Sequence, residues 1–503
     1  MQFGVWECVQ HWGRFRPNQV ALQTLDRSLS YAALNSEVNR VSNALRAAKL
    51  HGLRIGVALR SRVDLIVGII AILREGKSVV LVNPGLDDSD LRETLDDAEV
   101  EQVLVDQANE RVVDLAPKGP TTRVVRFPDA TAGFLNVGPG PTRIPEDEWG
   151  VVYSSGTTGT PKGIERDQNS MITELLGWCL ELGLTRETTF YVGRPVYYTG
   201  GLVLTLGTLL VSGAVWVSDY QNGNDDREVW RDYQAALTRG PVSHAFFVPD
   251  QIRAFCRIAA GGPKPLPHAK TILTMGAPIS GKEKTTARLA LGSQIVESWG
   301  NSEGLGTITD PEDVDLRPAS IGRPFLSDEM CVVGDDAKPV AVREIGRIAG
   351  GEQAGFSKYS SNPEATQKVR REELIISEDV GYVDEDGYFY LRGRVNETVT
   401  RSGTTVFTAE VEAKLRAVLG TEECFACGAG DEAEPRLYCL TTDLGVFKSV
   451  DEALKRANEQ LARAERLDAI LVVPSIPRLP AGKIDRVRAR QLVLERLTDI
   501  EMV

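Results

Sequence analysis

Short apolar strands alternate with helical patterns along the first 120 residues, and this alternation constrains the fold more than any other feature. RIGVAL (54–59) and SVVLVNP (78–84) are apolar runs of strand length, and DLIVGIIAILREG (64–76) between them has the length of a helix. Residues 29–50 form an amphipathic helical pattern that opens near Ser30. Strands and helices in this order predict an α/β fold built on parallel sheets.

The alternation continues to about residue 350 and predicts where a ligand binds. VSHAFFVP (242–249), AKTILTMG (269–276) and SQIVESWG (293–300) are apolar strands that each end in a Gly or Pro turn. Ligands of open α/β sheets bind at the carboxyl ends of such strands. We therefore expect the functional residues to cluster in the turns that follow these strands.

Changes in pattern indicate how the chain is divided. Its 503 residues correspond to about three structural units at roughly 150 residues each. FLNVGPGPTRIPEDEWG (134–150) is rich in Gly and Pro and is typical of a connecting loop. Beyond Arg394 short strands and helices lead to a basic tail. We expect a large domain over residues 1–394 and a small α+β domain over 395–503, with the boundary near 394–396.

The charge balance excludes some partners. Lys and Arg number 57 against 70 Asp and Glu, a net charge of −13, which argues against nucleic acid or an anionic membrane surface as a partner. Residues 195–218 carry no charge and are long enough to span a bilayer. They include four glycines, two tyrosines and several hydroxyls, so we expect a buried strand and helix there and no membrane anchor.

The cysteines and the N-terminus indicate a reducing, cytoplasmic compartment. Seven scattered cysteines are not a disulfide framework. Cys424 and Cys427 form a C-x-x-C, but no second pair or nearby His completes a zinc site. They lie in the apolar run CFACGAG, which predicts a buried strand. The first residues show no basic segment followed by an apolar one, so no signal peptide is expected.

A run of small and hydroxylated residues after the apolar VVY is the sharpest local signal. Small residues let the backbone approach a polyphosphate, hydroxyl and N–H groups donate to its oxygens, and a lysine adds charge. The Walker A pattern requires Ser or Thr after the lysine, and Gly163 stands there instead. The predicted phosphate-binding residues are Ser154, Ser155, Gly156, Thr157, Thr158, Gly159 and Lys162.

This loop, S-S-G-T-T-G-x-P-K-G, resembles the signature loop of the adenylate-forming superfamily, which includes acyl- and aryl-CoA ligases and stand-alone adenylation enzymes. Further segments resemble that family in the same order along nearly the whole chain. They are Gly276-Ala277-Pro278, Ser298-Trp299-Gly300-Asn301-Ser302-Glu303, Ile321-Gly322-Arg323-Pro324, NPEATQKV (362–369), Asp379, Arg394 and Pro480-Ala481-Gly482-Lys483-Ile484-Asp485-Arg486. The resemblance implies a large N-terminal adenylation domain of stacked sheets and helices and a mobile C-terminal lid.

The resemblance also implies roles in binding ATP. Glu303 would hold Mg²⁺, which offsets the triphosphate charge, and the catalytic Lys483 of the lid would bridge the attacking carboxylate and the α-phosphate. Asp379 would accept the ribose hydroxyls, and Arg394 would donate to the sugar or phosphate. The remaining predicted ATP contacts are Gly276, Ala277, Pro278, the flat face of Trp299, Gly300 and the hydroxyl of Ser302.

The predicted acid-binding segment departs from amino-acid-activating relatives. Residues 195–201 lack the acidic side chain that would hold an α-ammonium group. Tyr197 and Tyr198 suit a flat aromatic acid, and a phenol can hydrogen-bond its carboxylate. Gly200, Gly201 and Gly304 would leave room for a bulky group; tyrosines that merely pack are the alternative. His244 is expected to be a core histidine and not a base.

Residues that the family uses in its second half-reaction are also altered. Asn396 occupies the hinge position where an aspartate is usual, Thr400 replaces a common lysine, and Thr408 replaces a proline. Gly403, which in CoA ligases lets the backbone approach the pantetheine tunnel, is present. The first half-reaction therefore resembles that of the family, whereas the residues that reorient the lid toward CoA differ.

We therefore expect an ATP- and Mg²⁺-dependent ligase that activates an aromatic or heteroaromatic acid as its acyl-AMP. We expect an amine as the acceptor, and CoA is the alternative that stays open. An amine would make the chain similar to the amide bond synthetases of bacterial β-carboline biosynthesis, and CoA would make it an aryl-CoA ligase. A degenerate binding module is disfavoured because Lys162, Glu303, Asp379, Arg394 and Lys483 are all retained. The sequence does not identify the acid or an oligomeric state.

Overall fold

A computed structural model describes most of the chain. The described residues are 4–49, 52–116, 123–127, 148–154, 162–218, 226–261, 268–326, 329–351, 356–401, 404–421, 423–429, 435–478 and 484–501. The helices are α1 (Val5–Phe15), α2 (Tyr31–Ala47), α3 (Arg62–Arg74), α4 (Asp88–Asp97), α5 (Arg111–Leu115), α6 (Gln168–Glu181), α7 (Thr199–Leu210), α8 (Asp226–Arg239), α9 (Pro249–Ala260), α10 (Gly281–Leu291), α11 (Asp313–Leu316), α12 (Pro363–Val369), α13 (Thr408–Leu419), α14 (Val450–Gln460) and α15 (Arg486–Glu501).

The described strands form several sheets. They are β1 (Val20–Gln23), β2 (Ser28–Ser30), β3 (Arg54–Ala58), β4 (Ser78–Leu81), β5 (Gln102–Val105), β6 (Arg123–Arg126), β7 (Glu148–Ser154), β8 (Lys162–Asp167), β9 (Thr189–Val192), β10 (Ala214–Val217), β11 (His244–Phe247), β12 (Thr271–Met275), β13 (Gln294–Gly300), β14 (Gly306–Ile308), β15 (Arg323–Pro324), β16 (Met330–Val333), β17 (Gly346–Gly351), β18 (Phe356–Tyr359), β19 (Arg370–Arg371), β20 (Leu374–Val383), β21 (Phe389–Arg394), β22 (Thr398–Arg401), β23 (Thr404–Phe407), β24 (Cys424–Ala429), β25 (Arg436–Thr441) and β26 (Ala469–Val472).

The chain divides into two compact units. The first contains the described residues within Met1–Ser154, Pro161–Met330 and Gly350–Ile375, and the second contains those within Cys331–Ala349 and Ile376–Val503. All described residues of the predicted small domain, 395–503, therefore lie in the second unit, together with residues 331–349 and 376–394, which precede the predicted boundary.

The first unit is built on two mostly parallel sheets, as the alternation predicts. In the described residues, one sheet has the order β15-β14-β13-β12-β11-β9-β10-β1-β2 and the other β18-β8-β7-β4-β3-β5-β6. Strands β13, β12, β11, β9, β10 and β1 run parallel in the first sheet, and β7, β4, β3, β5 and β6 do so in the second. The carboxyl ends of each parallel set therefore share one edge.

Apolar helices join the two sheets into one core. α3 packs on β3 and β4, α7 packs on β9 and β10, and α2 and α6 contact α3 and α7 respectively. α3 is buried along nearly its whole length, which explains why its sequence is apolar on all sides. Fully buried side chains such as Ile66 and Ile69 each contribute about 1.5–3 kcal/mol through burial. One continuous hydrophobic cluster spans these elements.

Local sequence signals explain several boundaries. The hydroxyl of Ser30 accepts a hydrogen bond from the backbone N–H of Ala33 at the start of α2, which confirms the predicted opening of that helix. The uncharged segment 195–218 forms the buried α7 and β10, as expected. Among the described residues, no helix is both long enough and apolar enough to cross a membrane.

One predicted loop requires correction. Residues 134–147 of the Gly- and Pro-rich segment lie outside the described residues, but 148–150 begin β7. Trp149 is fully buried there. A Cβ atom at Gly150 would lie 2.3 Å from Val79 O, so this glycine permits close strand pairing and does not mark a turn.

The second unit contains three smaller sheets. Strands β16, β17 and β20 are neighbours, with β21 on β20, and β22 pairs with β23. The third sheet has the order β24-β25-β26 and packs against α13 and α15. Cys424 and Cys427 are buried in β24, which confirms the prediction of a strand. In the part of the chain that the structure describes, no group of three His, Cys, Asp or Glu side chains could hold a metal ion.

Candidate active site

Strands β7 and β8 flank the predicted phosphate-binding loop. Tyr153 pairs with Gly163, and Ser154 pairs with Lys162, in an antiparallel register. The predicted loop residues Ser155, Gly156, Thr157, Thr158 and Gly159 lie outside the described residues. The pairing holds the two ends of that segment side by side.

A half-buried phenol holds the end of β7 that leads into this loop. Tyr153 donates to Asp97 Oδ2 over 2.8 Å, and its hydroxyl oxygen also lies 2.9 Å from Thr94 O. Burial and the neighbouring Asp97 carboxylate raise the pKa of Tyr153, so the phenol stays protonated and can donate. A Cβ atom at Gly163 would lie 2.6 Å from Asp97 Oδ2. Close packing therefore accounts for the glycine that follows Lys162.

Tyr359 joins two residues that the sequence analysis assigned to ATP and metal binding. It lies in β18, opposite Ile164 of β8, and is 4% exposed. Its hydroxyl donates to Glu303 Oε1 over 2.5 Å, and Lys162 Nζ lies 5.3 Å from the centre of its ring. The phosphate-loop lysine and the predicted metal ligand therefore share one contact residue. Sequence reasoning missed Tyr359, although it stands just before the family-like NPEATQKV segment.

Glu303 lies in a closed turn between β13 and β14. The backbone N–H of Asn301 donates to Leu305 O, and Asn301 Oδ1 accepts from the N–H of Leu305 over 2.9 Å. Gly304 has φ +99°, a conformation that favours glycine. Arg166, which is 1% exposed, donates to Ser302 O over 3.3 Å and also pairs with Glu174. These contacts fix the turn that presents Ser302 and Glu303.

Glu303 is suited to hold Mg²⁺ together with a triphosphate. A carboxylate has several lone-pair sites, so one hydrogen bond from Tyr359 leaves capacity for a cation. Mg²⁺ in nucleotide sites is held by one or two carboxylates, water and phosphate oxygens, without a dedicated protein cage. The single carboxylate in this turn fits that coordination.

The predicted adenine-binding residues lie on one edge of the nine-stranded sheet. Gly276, Ala277 and Pro278 follow β12, and Trp299 and Gly300 end the neighbouring parallel strand β13. Trp299 is partly exposed, as a stacking surface requires.

A buried ion pair and a hydrogen bond to the backbone support this edge. Lys284 Nζ lies 2.8 Å from Glu297 Oε2, and both side chains are buried between α10 and β13. Arg253 donates to Pro278 O over 3.0 Å. These contacts stabilise the ends of the strands that carry Trp299 and Pro278.

Tyr197 and Tyr198 follow β9 at the same edge of the sheet. Their ring centres lie 4.8 Å apart with the planes at 62°. Tyr198 immediately precedes α7, and its hydroxyl accepts from Asn83 Nδ2 over 3.3 Å. Burial raises the pKa of Tyr198, with Tyr197 adding to the shift, so its phenol stays protonated at neutral pH. It can therefore donate a hydrogen bond to a carboxylate.

Close contacts and backbone conformation partly explain why the predicted acid pocket contains three glycines. A Cβ atom at Gly201 would lie 2.5 Å from Pro195 O, and one at Gly200 would lie 3.1 Å from Met275 Sδ. Gly304 has the positive φ described above. The lack of a side chain thus permits tight packing at Gly200 and Gly201 in the first turn of α7 and the backbone conformation at Gly304. The role of the three glycines in admitting a bulky acid stays a prediction.

His244 is the core histidine that the sequence analysis expected. Its Nε2–H donates to Leu182 O over 3.1 Å, and its Nδ1 lies 2.9 Å from Ser243 Oγ. The carbonyl can only accept, which places the proton on Nε2. Burial lowers the pKa of His244, so the neutral ring is favoured.

In the second unit, Asp379 and Arg394 are neighbours across β20 and β21. The two residues are register partners, and Arg394 Nε donates to Asp379 Oδ1 over 3.1 Å. Asp379 is 6% exposed, so it is not part of a solvated acidic turn. The pairing places the predicted ribose-binding carboxylate beside the predicted sugar- or phosphate-binding guanidinium.

Thr408 connects the predicted hinge region to α15 within the second unit. Asn396 lies in a short 3-10 helix, Val395–Glu397. Thr408 Oγ1 donates to Glu397 O over 2.9 Å and accepts from Arg486 Nη2 over 3.2 Å. Arg486 also pairs with Glu412 at 2.8 Å. Lys483 and Gly403 lie outside the described residues.

Comparison with known proteins identifies the family. The family model described as "AMP-binding enzyme" matches residues 9–359. A 2-succinylbenzoate–CoA ligase from Geobacillus kaustophilus (strain HTA426) is 26% identical over 492 residues, covering 95% of this chain and 96% of that protein.

Solved structures show the same fold. The amide bond synthetase McbA from Marinactinospora thermotolerans has a TM-score of 0.82 at 20% identity, covering 97% of this chain and 99% of that one. O-succinylbenzoate coenzyme A synthetase (MenE) from Bacillus subtilis, in complex with ATP and magnesium ion, has a TM-score of 0.84 at 20% identity, covering 96% and 99%. The large α/β region and the small C-terminal region thus match adenylate-forming enzymes.

Proposed function

The chain belongs to the AMP-binding enzyme family and is an ATP-dependent acid ligase, and we propose that it joins an aromatic or heteroaromatic acid to an amine. Activation of an acid as its adenylate is the part that the whole family shares. The observation that supports the activation step is that the buried Tyr359 contacts both Lys162 and Glu303, the residues proposed to bind phosphate and metal.

In the first half-reaction the acid carboxylate attacks the α-phosphorus of ATP, and pyrophosphate leaves. Tyr198 donates to the acid, Trp299 stacks on adenine, and Asp379 accepts from the ribose hydroxyls. Lys483 stabilises charge that develops between the carboxylate and the α-phosphate. Glu303 would hold Mg²⁺, which would offset the charge of the leaving pyrophosphate.

In the second half-reaction the amine nitrogen bonds to the acyl carbon. The bond between that carbon and the AMP oxygen breaks, and the nitrogen loses a proton as the amide forms. Because an amine has no pantetheine arm, this step does not require the hinge to reorient the lid.

The contacts of Thr408 favour an amine as acceptor. A hinge at Asn396 must change the backbone dihedrals next to Glu397. The carbonyl of Glu397 accepts from Thr408, whose hydroxyl is also held by Arg486. These hydrogen bonds restrain the residue that follows the hinge, and the residues usual at positions 396 and 408 in the family are absent.

CoA is the second candidate acceptor, and one observation favours it. The relative that is 26% identical over 95% of this chain is named as a CoA ligase. Gly403, which the sequence analysis associated with CoA, is consistent with this alternative.

A product assay separates the two acceptors. Purified protein, ATP, Mg²⁺ and a panel of aryl acids are divided between tubes with CoA and tubes with simple amines, and the products are identified by mass spectrometry. The proposal expects amide at rates well above those of chemical aminolysis of acyl-AMP, with no thioester. Thioester as the enzymatic product would assign the chain as a CoA ligase.

A further inference from the structure

A cavity of about 280 Å³ lies beside Tyr197 in the first unit. Its walls come from the residues that follow the parallel strands β3, β4 and β5, namely Arg60, Pro84 and Asn109 among others, and from the start of α3. The carboxyl edges of parallel strands are where α/β proteins place ligand sites. Tyr197 is the wall that this cavity shares with the predicted acid-binding segment.

The cavity has an electropositive lining in a protein of net charge −13. Arg60 and Arg62 both line it, and Arg62 is only 3% exposed. Arg62 is also the first residue of α3, whose N-terminal end favours negative charge. Burial raises the pKa of Tyr197, whereas the charges of Arg62 and the buried Arg194 lower it. The two arginines therefore indicate a positive potential at this wall.

Two acidic groups near the cavity, Asp64 and Asp106, already accept hydrogen bonds from protein groups. Asp64 pairs with Arg27, and Asp106 accepts from the backbone N–H of Arg60 over 2.5 Å and from that of Asn109 over 3.1 Å. The remaining walls include Leu59, Leu65 and Ala108, which are apolar.

Size and charge restrict what can occupy the cavity. An ammonium group would be repelled by the guanidinium groups, and an apolar group would desolvate them without replacing their hydrogen bonds. A carboxylate can accept from a guanidinium in a bidentate geometry, which is the arrangement that arginine favours. The volume is slightly below that of typical drug-sized ligand pockets, roughly 300–1,000 Å³, so it suits one part of a substrate.

We propose that this cavity is a subsite for a second carboxylate of the acid substrate. This subsite proposal rests on the proposed function, because it places the activated carboxylate at Tyr198 and the remote carboxylate at Arg60 and Arg62. Tyr197 separates the two ends. The enzyme then selects aromatic dicarboxylic acids, of which only one carboxylate is adenylated.

Calorimetric titration tests this subsite without requiring turnover. The enzyme is titrated with phthalate, isophthalate and terephthalate, each compared with benzoate, in the presence of AMP. At least one dicarboxylate should bind about tenfold tighter than benzoate, which is the ratio expected for one charge-assisted contact. The preference should disappear in Arg62→Gln and weaken in Arg60→Gln, whose side chain is exposed.

Arg74→Gln is the matched control. Arg74 lies at the other end of α3, is 3% exposed like Arg62, and does not line the cavity, so the dicarboxylate preference should survive in this variant. Equal binding of benzoate and all three dicarboxylates, or a preference that persists in both Arg60→Gln and Arg62→Gln, would overturn the subsite.

Pyrophosphate release, measured with the same acids, separates the subsite from the proposed function. If pyrophosphate is released but all four acids bind equally, only the subsite proposal would be overturned, and the proposed function would stand. A dicarboxylate preference without release from any acid would overturn the proposed function and with it the assignment of this carboxylate to the substrate.

Discussion

The hydroxyl of Tyr359 donates a hydrogen bond to Glu303 Oε1 over 2.5 Å, while Lys162 Nζ lies 5.3 Å from the centre of the same ring. Tyr359 therefore orients one residue predicted to bind a metal and contacts another predicted to bind phosphate. It is a positioning residue, since it would act on ATP through Glu303.

Replacing Tyr359 by Phe should lower the rate of acid-dependent pyrophosphate release roughly tenfold, because a buried hydrogen bond to a charged group is lost. The Mg²⁺ concentration for half-maximal activity should rise at the same time. Tyr390→Phe, which removes a hydrogen bond to Asp384 in the second unit, is the control. A Mg²⁺ dependence that is unchanged in Tyr359→Phe would contradict this role.

Replacing Lys483 by Ala should lower acyl-AMP formation about a hundredfold or more, since it removes charge stabilisation in the transition state. ATP binding, measured by calorimetry, should remain largely intact. Lys455→Ala, on α14, serves as a control for the loss of one lysine charge from the second unit. Wild-type turnover in Lys483→Ala would refute the assignment of this lysine.

Replacing Tyr198 by Ala should change the preference among acids more than the KM for ATP. The phenol is predicted to donate to the acid carboxylate, whereas its ring is predicted to contact the aromatic group. Tyr198→Phe separates these contributions, because it keeps the ring and should raise the KM of all acids by a similar factor. A larger effect on ATP than on acids would count against this pocket.

Replacing Thr408 by Val should loosen the region that follows the hinge. The variant loses the hydrogen bond to Glu397 O and the one from Arg486, each of which contributes about 1 kcal/mol or more. We expect faster hydrogen exchange in residues 395–401 and an increase in any thioester formed with CoA. Thr405→Val, at an exposed position of β23, should change neither quantity.

The free energy of unfolding should decrease below pH 6.5 because His244 is buried. Burial lowers its pKa below 6.5 in the folded state, so the unfolded chain binds a proton first as the pH decreases. The stabilisation is complete above pH 6.5 and is lost as the pH falls through the lowered pKa. Denaturant unfolding between about pH 8 and pH 5 should show this decrease, and His244→Gln should reduce it. An identical pH dependence in the variant would exclude His244 as its source.

The fold was predictable where local patterns determine an element. Residues 242–249, 269–276 and 293–300 contain β11, β12 and β13. Pro278, which follows β12, and Trp299, near the end of β13, lie on the predicted edge. Residues 148–150 end a Gly- and Pro-rich segment whose composition predicts a loop, and Gly150 is part of that composition. Its role depends on the approach of Val79, a contact with a strand about 70 residues away.

Long-range contacts also explain what the site analysis missed. Tyr359 follows an ordinary strand pattern, and only the pairing of β18 with β8 brings its ring to Lys162. Arg166 has the sequence appearance of a surface charge, yet it is buried and donates to Ser302 O. No local signal distinguishes these residues from many others of the same type. The roles of Trp299, Asp379 and Lys483 stay predictions, and the Lys483→Ala variant tests the last of them.

The acceptor of the acyl group is the central claim, and a partition experiment tests it most directly. Enzyme is incubated with ATP, Mg²⁺ and an aryl acid, freed of small molecules, and the retained acyl-AMP is then offered an amine and CoA together at equal concentration. We predict an excess of amide over thioester of about tenfold or more, which corresponds to about 1.4 kcal/mol between the two barriers. An excess of thioester would contradict the assignment as an amide-forming ligase. So would amide formed no faster than by the uncatalysed reaction of acyl-AMP with the amine.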